Sequence, residues 1–197
     1  MMKKTMICIS LIAMMALLAS VAAFASDAQE ITFGMSMEEV EAIAGRRDWQ
    51  DQVTSPTAGI YDHYIYSNQK ISKFDDAHLR YVFMDNNLIA RIYDLDDTRA
   101  SKYGYLAGAL ESKYGPSNEN YTALGRFLDY DIGIGTVDES MVKGFSEYVE
   151  GKLSCWTMED GTEIVLFYMK YDGDEYTSLG YLAPTDSLSI EYDDSGL

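Results

Sequence analysis

A chain of 197 residues, 47% hydrophobic and 24% charged, has the composition of a folded domain, which excludes a disordered protein. Its 32 acidic residues against 15 basic ones give a formal net charge of −17. That excludes nucleic acid and anionic lipid surfaces as partners, because both are held by basic patches that displace counterions.

The chain opens Met1-Met2-Lys3-Lys4, carries no charge from Thr5 to Ser26, and reaches Ala23-Phe24-Ala25 just before Asp27. A basic start, an apolar run and an A-x-A ending together predict a signal peptide, residues 1–25, cleaved after Ala25. The run is also long enough to span a bilayer; its small-residue ending selects cleavage, so no stable membrane anchor is expected. Cys8 lies inside the run, and no Cys follows it in the position of a lipidated residue. The mature chain is therefore expected to be secreted or periplasmic, that is, extracytoplasmic. Once Cys8 leaves, Cys155 stands alone and no intramolecular disulfide can form. Stability must then come from a core that 16 Tyr, 7 Phe and 2 Trp can fill.

Residues Ile31 to Val40 read as a short strand, a tight turn at Gly34 and a helix entry. Ser36 with Glu39 three residues on is a capping box, in which hydroxyl and carboxylate satisfy two orphan amides. Met37, Val40, Ile43 and Ala44 then share one helical face, and Gly45 supplies the C-terminal cap. Tyr61 to Tyr66 is an aromatic-rich strand, and Gln69 to Ala77 reads as a polar connection. Leu79 to Met84 and Leu88 to Leu95 form a hairpin about Asp85-Asn86-Asn87.

A second helix is predicted after Asp97 or Thr98, either of which can cap it. Tyr103, Leu106, Ala107, Leu110 and Tyr114 recur at its spacing, and Gly115-Pro116 stops it. Tyr121 to Tyr130, Leu153 to Met158, Glu163 to Tyr171 and Tyr176 to Leu182 are read as strands, with Glu159-Asp160-Gly161 a hairpin turn. Ser187 to Tyr192 alternates as an edge strand or a loose tail.

The order is helix then strands, twice over. It predicts an α+β fold of two helix-plus-antiparallel-strand units in tandem, with the helices packed on one face of an antiparallel sheet. The units are residues 26–97 and residues 98–197, the second with an acidic C-terminal tail. No Pro- or Gly-rich linker separates them, so one continuous sheet is expected.

The string Phe33-Gly34-Met35-Ser36-Met37-Glu38-Glu39-Val40, closing at Gly45, resembles the helix entry of SmpA/OmlA-like proteins. The two-fold arrangement resembles the β-lactamase-inhibitor-protein-like secreted bacterial proteins. The second unit's helix, ending Lys113-Tyr114-Gly115-Pro116, is similar in form but lacks the Gly-Met entry. Trp156 on a following strand, with the apolar run Ile164 to Tyr168, also resembles the second half of such proteins. The resemblance implies a non-enzymatic extracytoplasmic module that binds proteins or envelope components. The missing lipidated Cys and the missing disulfides mean that neither membrane tethering nor lactamase inhibition is carried over.

Candidate chemistry is sparse. Cys155 with His63 or His78 is the available thiol-imidazole pair, yet Cys155 sits in a strand-like run with no glycine elbow and reads as a structural thiol. No G-x-S-x-G, phosphate loop or paired-histidine spacing occurs. No catalytic residue, resident metal or cofactor is expected. Weak calcium binding is the ionic interaction that the acidic clusters Asp94-Asp96-Asp97, Asp129-Asp131 and Asp172-Asp174-Glu175 would support, though none has the EF-hand spacing.

Tyrosines cluster in the strands of both halves. Alternation places some on the outer face, where a rigid aromatic with a polar tip anchors a protein partner; the competing reading is that they fill the core. Tyr61, Tyr64, Tyr66, Tyr81, Tyr93 and Trp156 are the candidate binding residues, and recognition of a protein or envelope component through an aromatic-rich sheet face is the expected function. The alternatives are a small cell-wall or glycan-acting hydrolase and a calcium-dependent structural module.

Overall fold

The computed structural model describes residues 31–95, 100–135 and 150–185. The expected signal peptide, the cap candidates Asp97 and Thr98 and the stretch Ser187 to Tyr192 lie outside the described residues.

The capping box forms as its spacing requires. Ser36 caps α1 (Met37–Ala44): its hydroxyl accepts from Glu39 N–H, Glu39 accepts from Ser36 N–H, and Gly45 closes the helix. The residues before it are not a strand. Gly34 N–H donates to Leu88 O at 2.9 Å and Leu88 N–H to Met35 O at 2.8 Å, so this segment is a turn buttoned onto the sheet. Met37 N–H, an orphan donor at the helix start, is taken by Asn86 Oδ1.

Four strands follow in a meander: β1 (Trp49–Ser55), β2 (Gly59–Ile71), β3 (Phe74–Met84) and β4 (Asn87–Leu95). The β3–β4 loop is two residues, Asp85 and Asn86, with φ of 50° and 64°, which is the left-handed pair a tight hairpin selects Asp and Asn to supply. Gln69 to Ala77 is a hairpin tip and no loop. β2 and β3 continue to the pair Ile71–Phe74, because Ile71 and Ala77 are both buried in the core under the second helix.

After α2 (Ala100–Tyr114) comes the largest departure from expectation. Tyr121 to Tyr130 is α3 (Tyr121–Ile132), a helix. Asn120 caps it by accepting from Ala123 N–H, and Ala123, Leu124, Phe127 and Tyr130 bury one helical stripe. Gly133 ends it in a left-handed conformation so close to β1 that a Cβ would lie 2.5 Å from Thr54 O, so only glycine fits. The last described elements are β5 (Glu150–Thr157), β6 (Glu163–Tyr171) and β7 (Asp174–Leu182).

All seven strands join one antiparallel sheet, in the order β1-β2-β3-β4-β7-β6-β5. The expected continuous sheet is present, and its two meanders are sewn together where Ala90–Leu95 pairs with Leu182–Thr177. Register defines the faces. Tyr64, Tyr81, Arg91, Tyr181, Ile164 and Trp156 lie opposite one another across six strands, so they share one face. α1 packs on that face through Val40, against Tyr64, Tyr66, Leu79, Tyr81, Phe83 and Leu88. α2 packs on the same face through Tyr103, Leu106 and Leu110.

α3 covers the other face, packing Ala123, Leu124, Phe127 and Tyr130 on Tyr61, Val82, Ala90, Ile92, Val165 and Leu182. Helices therefore lie on both faces, which corrects the one-faced arrangement expected. Both faces of the central strands need a cover because both carry apolar side chains: Leu79 and Tyr81 on one, Val82, Ala90 and Ile92 on the other.

Candidate functional site

The six sequence-selected aromatics do not form a common exposed surface. Tyr61 lies under α3, 1% exposed, and Tyr64, Tyr66 and Tyr81 lie under α1, 6–7% exposed. They interlock at their ring edges, Tyr64 on Phe83 and Tyr66 on Tyr81 with centroids 5.1 and 5.6 Å apart. Tyr66 donates to Gly45 O at 3.0 Å, tying the end of α1 to the sheet, and burial pushes its phenol up to about 12. Arg47 stacks 4.0 Å above the Tyr64 ring. Tyr93 is half-buried, edge-on to Tyr181. These tyrosines are cement between helix and sheet.

Trp156 differs from the tyrosines. It is buried, and its Nε1–H donates to Gly115 O at 2.9 Å, but it is also part of the wall of a groove. That groove, about 640 Å³, lies between the end of α2 and the β5–β6 turn. Tyr114, Pro116 and Met158 give it apolar walls, Asn118 and Thr157 polar ones, and Glu159 and Asp160 an acidic mouth. Cys155 lines it too, and from the sequence Trp156 stands out as a binding candidate and Cys155 as a structural thiol. Gly115-Pro116 reads as a helix stop and Glu159-Asp160-Gly161 as a turn, and both are so. Nothing in a separation of some 40 residues says that they face each other; an isolated bridge between Asn118 and Cys155 brings them together.

Topology separates the thiol from both imidazoles. Cys155 is on the edge strand β5, five strand spacings from His63 on β2 and four from His78 on β3, or about 24 and 19 Å. Burial pushes the Cys155 thiol up to about 11, against what a nucleophile needs. His63 is 1% exposed. Burial first, and then the positive charge of Arg80, hold it down at about 4, so it is neutral.

Asp96 and Asp97 lie outside the described residues, and four other acids of these clusters, Asp94, Asp129, Asp131 and Glu175, already have partners within the fold. Asp129 Oδ2 accepts from Tyr61 and Ser55, and its Oδ1 from Gly135 N–H. Arg80 Nε lies 2.7 Å from Asp94 Oδ2, its Nη2 bonds Asp131, and Ser178 donates to Asp94 Oδ1 at 2.8 Å. Burial raises the Asp131 carboxyl, while Arg80 pulls it the other way. Asp172 and Gly173 form the two-residue β6–β7 turn, with φ of 51° and 91°, and Glu175 accepts from Ala100 N–H at the start of α2. Among the described residues no group of three or more His, Cys, Asp or Glu is placed to hold a metal ion, and no helix is long and apolar enough to cross a membrane.

No family model matches this chain, and no match was found among curated proteins or solved structures.

Proposed function

We propose that this chain is an extracytoplasmic, non-enzymatic binding module that recognises a protein or other envelope component. The observation that carries the reading is the groove beside Trp156, a concavity with aromatic and proline walls and a polar mouth. Such sites bind by burying apolar surface and use a few polar groups for orientation. The basic start, apolar run and A-x-A ending of residues 1–25 support export and cleavage after Ala25.

The tandem reading also belongs here. Residues 26–97 contribute a helix and a four-stranded meander, residues 98–197 contribute helices and a three-stranded one, and the sheet joins at its middle. The capped helix entry from Gly34 to Gly45 supports kinship with SmpA/OmlA-like and β-lactamase-inhibitor-protein-like proteins.

The test starts from the full chain expressed in cells, with the product recovered from outside the cytoplasm and its N-terminus sequenced. The recovered protein is then immobilised and exposed to envelope and culture extracts, with and without calcium. The expected result is an N-terminus at Ser26 and capture of one stoichiometric protein, independent of calcium and lost in Tyr114→Ala with Met158→Ala. Capture of glycan or small molecules alone would overturn the binding-module reading.

A further inference from the structure

Three properties of the groove select its occupant. The first is backbone direction. Asn118 N–H donates to Cys155 O at 3.0 Å and Cys155 N–H to Asn118 O at 2.8 Å, so the backbone of Cys155 faces away from β6. Backbone polarity alternates along a strand, and Thr157, two residues on, therefore turns its N–H and C=O the same way. Pairing stops at that isolated bridge: continuing the register would bring Pro116 to Thr157, but proline has no N–H to give and no backbone bond joins the two. Among the described residues no backbone bond reaches Thr157 from that side, and Thr157 is exposed at the groove wall. The groove thus offers a donor and an acceptor at the spacing of one strand residue.

The second property is the apolar lining by Tyr114, Pro116, Trp156 and Met158, which suits the side chains of an extended segment. The third is charge. Glu159 and Asp160 are exposed at the mouth, and Glu119 lies near enough to Cys155 to help raise its thiol. The whole chain carries −17, so a cationic partner is both steered and held.

We infer that the groove binds an extended segment of a partner protein, rich in lysine or arginine beside apolar residues, which adds as a short strand at Thr157. This rests on the binding-module reading and names the partner's chemistry. A backbone donor and acceptor on one exposed strand residue match a peptide; the side chains then place cations at the mouth and apolar groups against Tyr114 and Met158.

The test is fluorescence anisotropy of the purified protein with a labelled peptide of alternating lysine and valine. A glutamate–valine peptide and an N-methylated lysine–valine peptide serve as comparisons. The lysine–valine peptide should bind at least about tenfold tighter than either. The double variant Glu159→Gln, Asp160→Asn should erode the charge preference about threefold or more, and added salt should do the same. Asn at 160 keeps the acceptor that Asp160 Oδ1 offers Thr162 N–H, so this variant retains the turn. Equal binding of the lysine and glutamate peptides, or indifference to N-methylation, overturns the inference. If that happens while an envelope protein is still captured in a groove-dependent way, the module reading stands and only the partner chemistry falls.

Discussion

The Tyr61 hydroxyl donates a 2.6 Å hydrogen bond to Asp129 Oδ2 across 68 residues of sequence. It joins the second strand of the sheet to the last turn of α3, and both side chains are buried. The carboxylate also accepts from Ser55 Oγ and Gly135 N–H, so one buried anion organises a strand end, a strand face and the loop after a helix. Burial and that anion together raise the Tyr61 phenol well above its ordinary value.

Removing the Tyr61 hydroxyl should cost what a hydrogen bond to a charged acceptor is worth. Tyr61→Phe is expected to destabilise by about 1.5–3 kcal/mol, and Asp129→Ala, which strands three donors, by at least about 3 kcal/mol. Urea unfolding of both variants measures this. Equal losses would show that the phenol is the carboxylate's one important partner.

His63 makes folding sensitive to acid. Its folded value of about 4 lies below the ordinary 6.5, so the unfolded chain binds more protons between these limits. Stability contributed by the neutral imidazole is full above 6.5 and drains away as pH falls towards 4, by at most about 3 kcal/mol. The raised Asp131 carboxyl works in the opposite sense at the acid end. The measure is therefore the difference between wild type and His63→Leu in melting temperature at neutral pH and near pH 4.5. The variant should lose less on acidification; parallel losses would show that His63 does not titrate in this window.

Arg80 bridges Asp94 and Asp131 with its side chain 14% exposed. Arg80→Met leaves two largely buried carboxylates without their cation and is expected to cost about 3–5 kcal/mol. The triple variant that also carries Asp94→Asn and Asp131→Asn should recover part of this, as chemical denaturation would show.

Gly180 faces α3 from the central strand β7, and a Cβ there would lie 2.6 Å from Phe127 Cδ2. Gly180→Ala should therefore destabilise by about 1–3 kcal/mol through overpacking. Adding Phe127→Leu should recover part of that loss, giving a non-additive double-mutant cycle. Strict additivity would place the strain elsewhere.

Cys155 should be inert in the folded protein. With its thiol near 11, about a thousandth is thiolate at pH 8, and the side chain is 2% exposed. Alkylation by iodoacetamide, followed by mass spectrometry, should be slow in buffer and rapid in urea.

The sequence made some of this plain and hid the rest for physical reasons. Ser36, Glu39 and Gly45 act locally, and the helix they bound is where spacing places it. The Asp85-Asn86 turn is local too. α3 was hidden because Tyr121, Thr122, Phe127 and Tyr130 are residues that strands favour, while the helical evidence lay in the Asn120 cap and the spacing of Ala123, Leu124, Phe127 and Tyr130. β1 gave no pattern because Trp49 to Gln52 on the sheet edge are all exposed. Tyrosine alternation was real, but it could not reveal that each face has a helix over it, since α3 itself had been read as a strand. The groove was illegible because its two walls belong to turns brought together by a single bridge.

The seam between β4 and β7 makes folding a late event. Strand β4 is complete by residue 95, yet its second neighbour is the last strand described, Asp174–Leu182. Until that strand is synthesised, Asn87–Leu95 has one open edge of unpaired backbone groups, on a strand whose faces carry Leu88, Ile89, Ile92 and Leu95. A chain truncated ahead of Thr177 would keep that edge for good, offering a template on which other copies could stack. Strand β7 thus acts as the keystone that turns two sticky half-sheets into one protein.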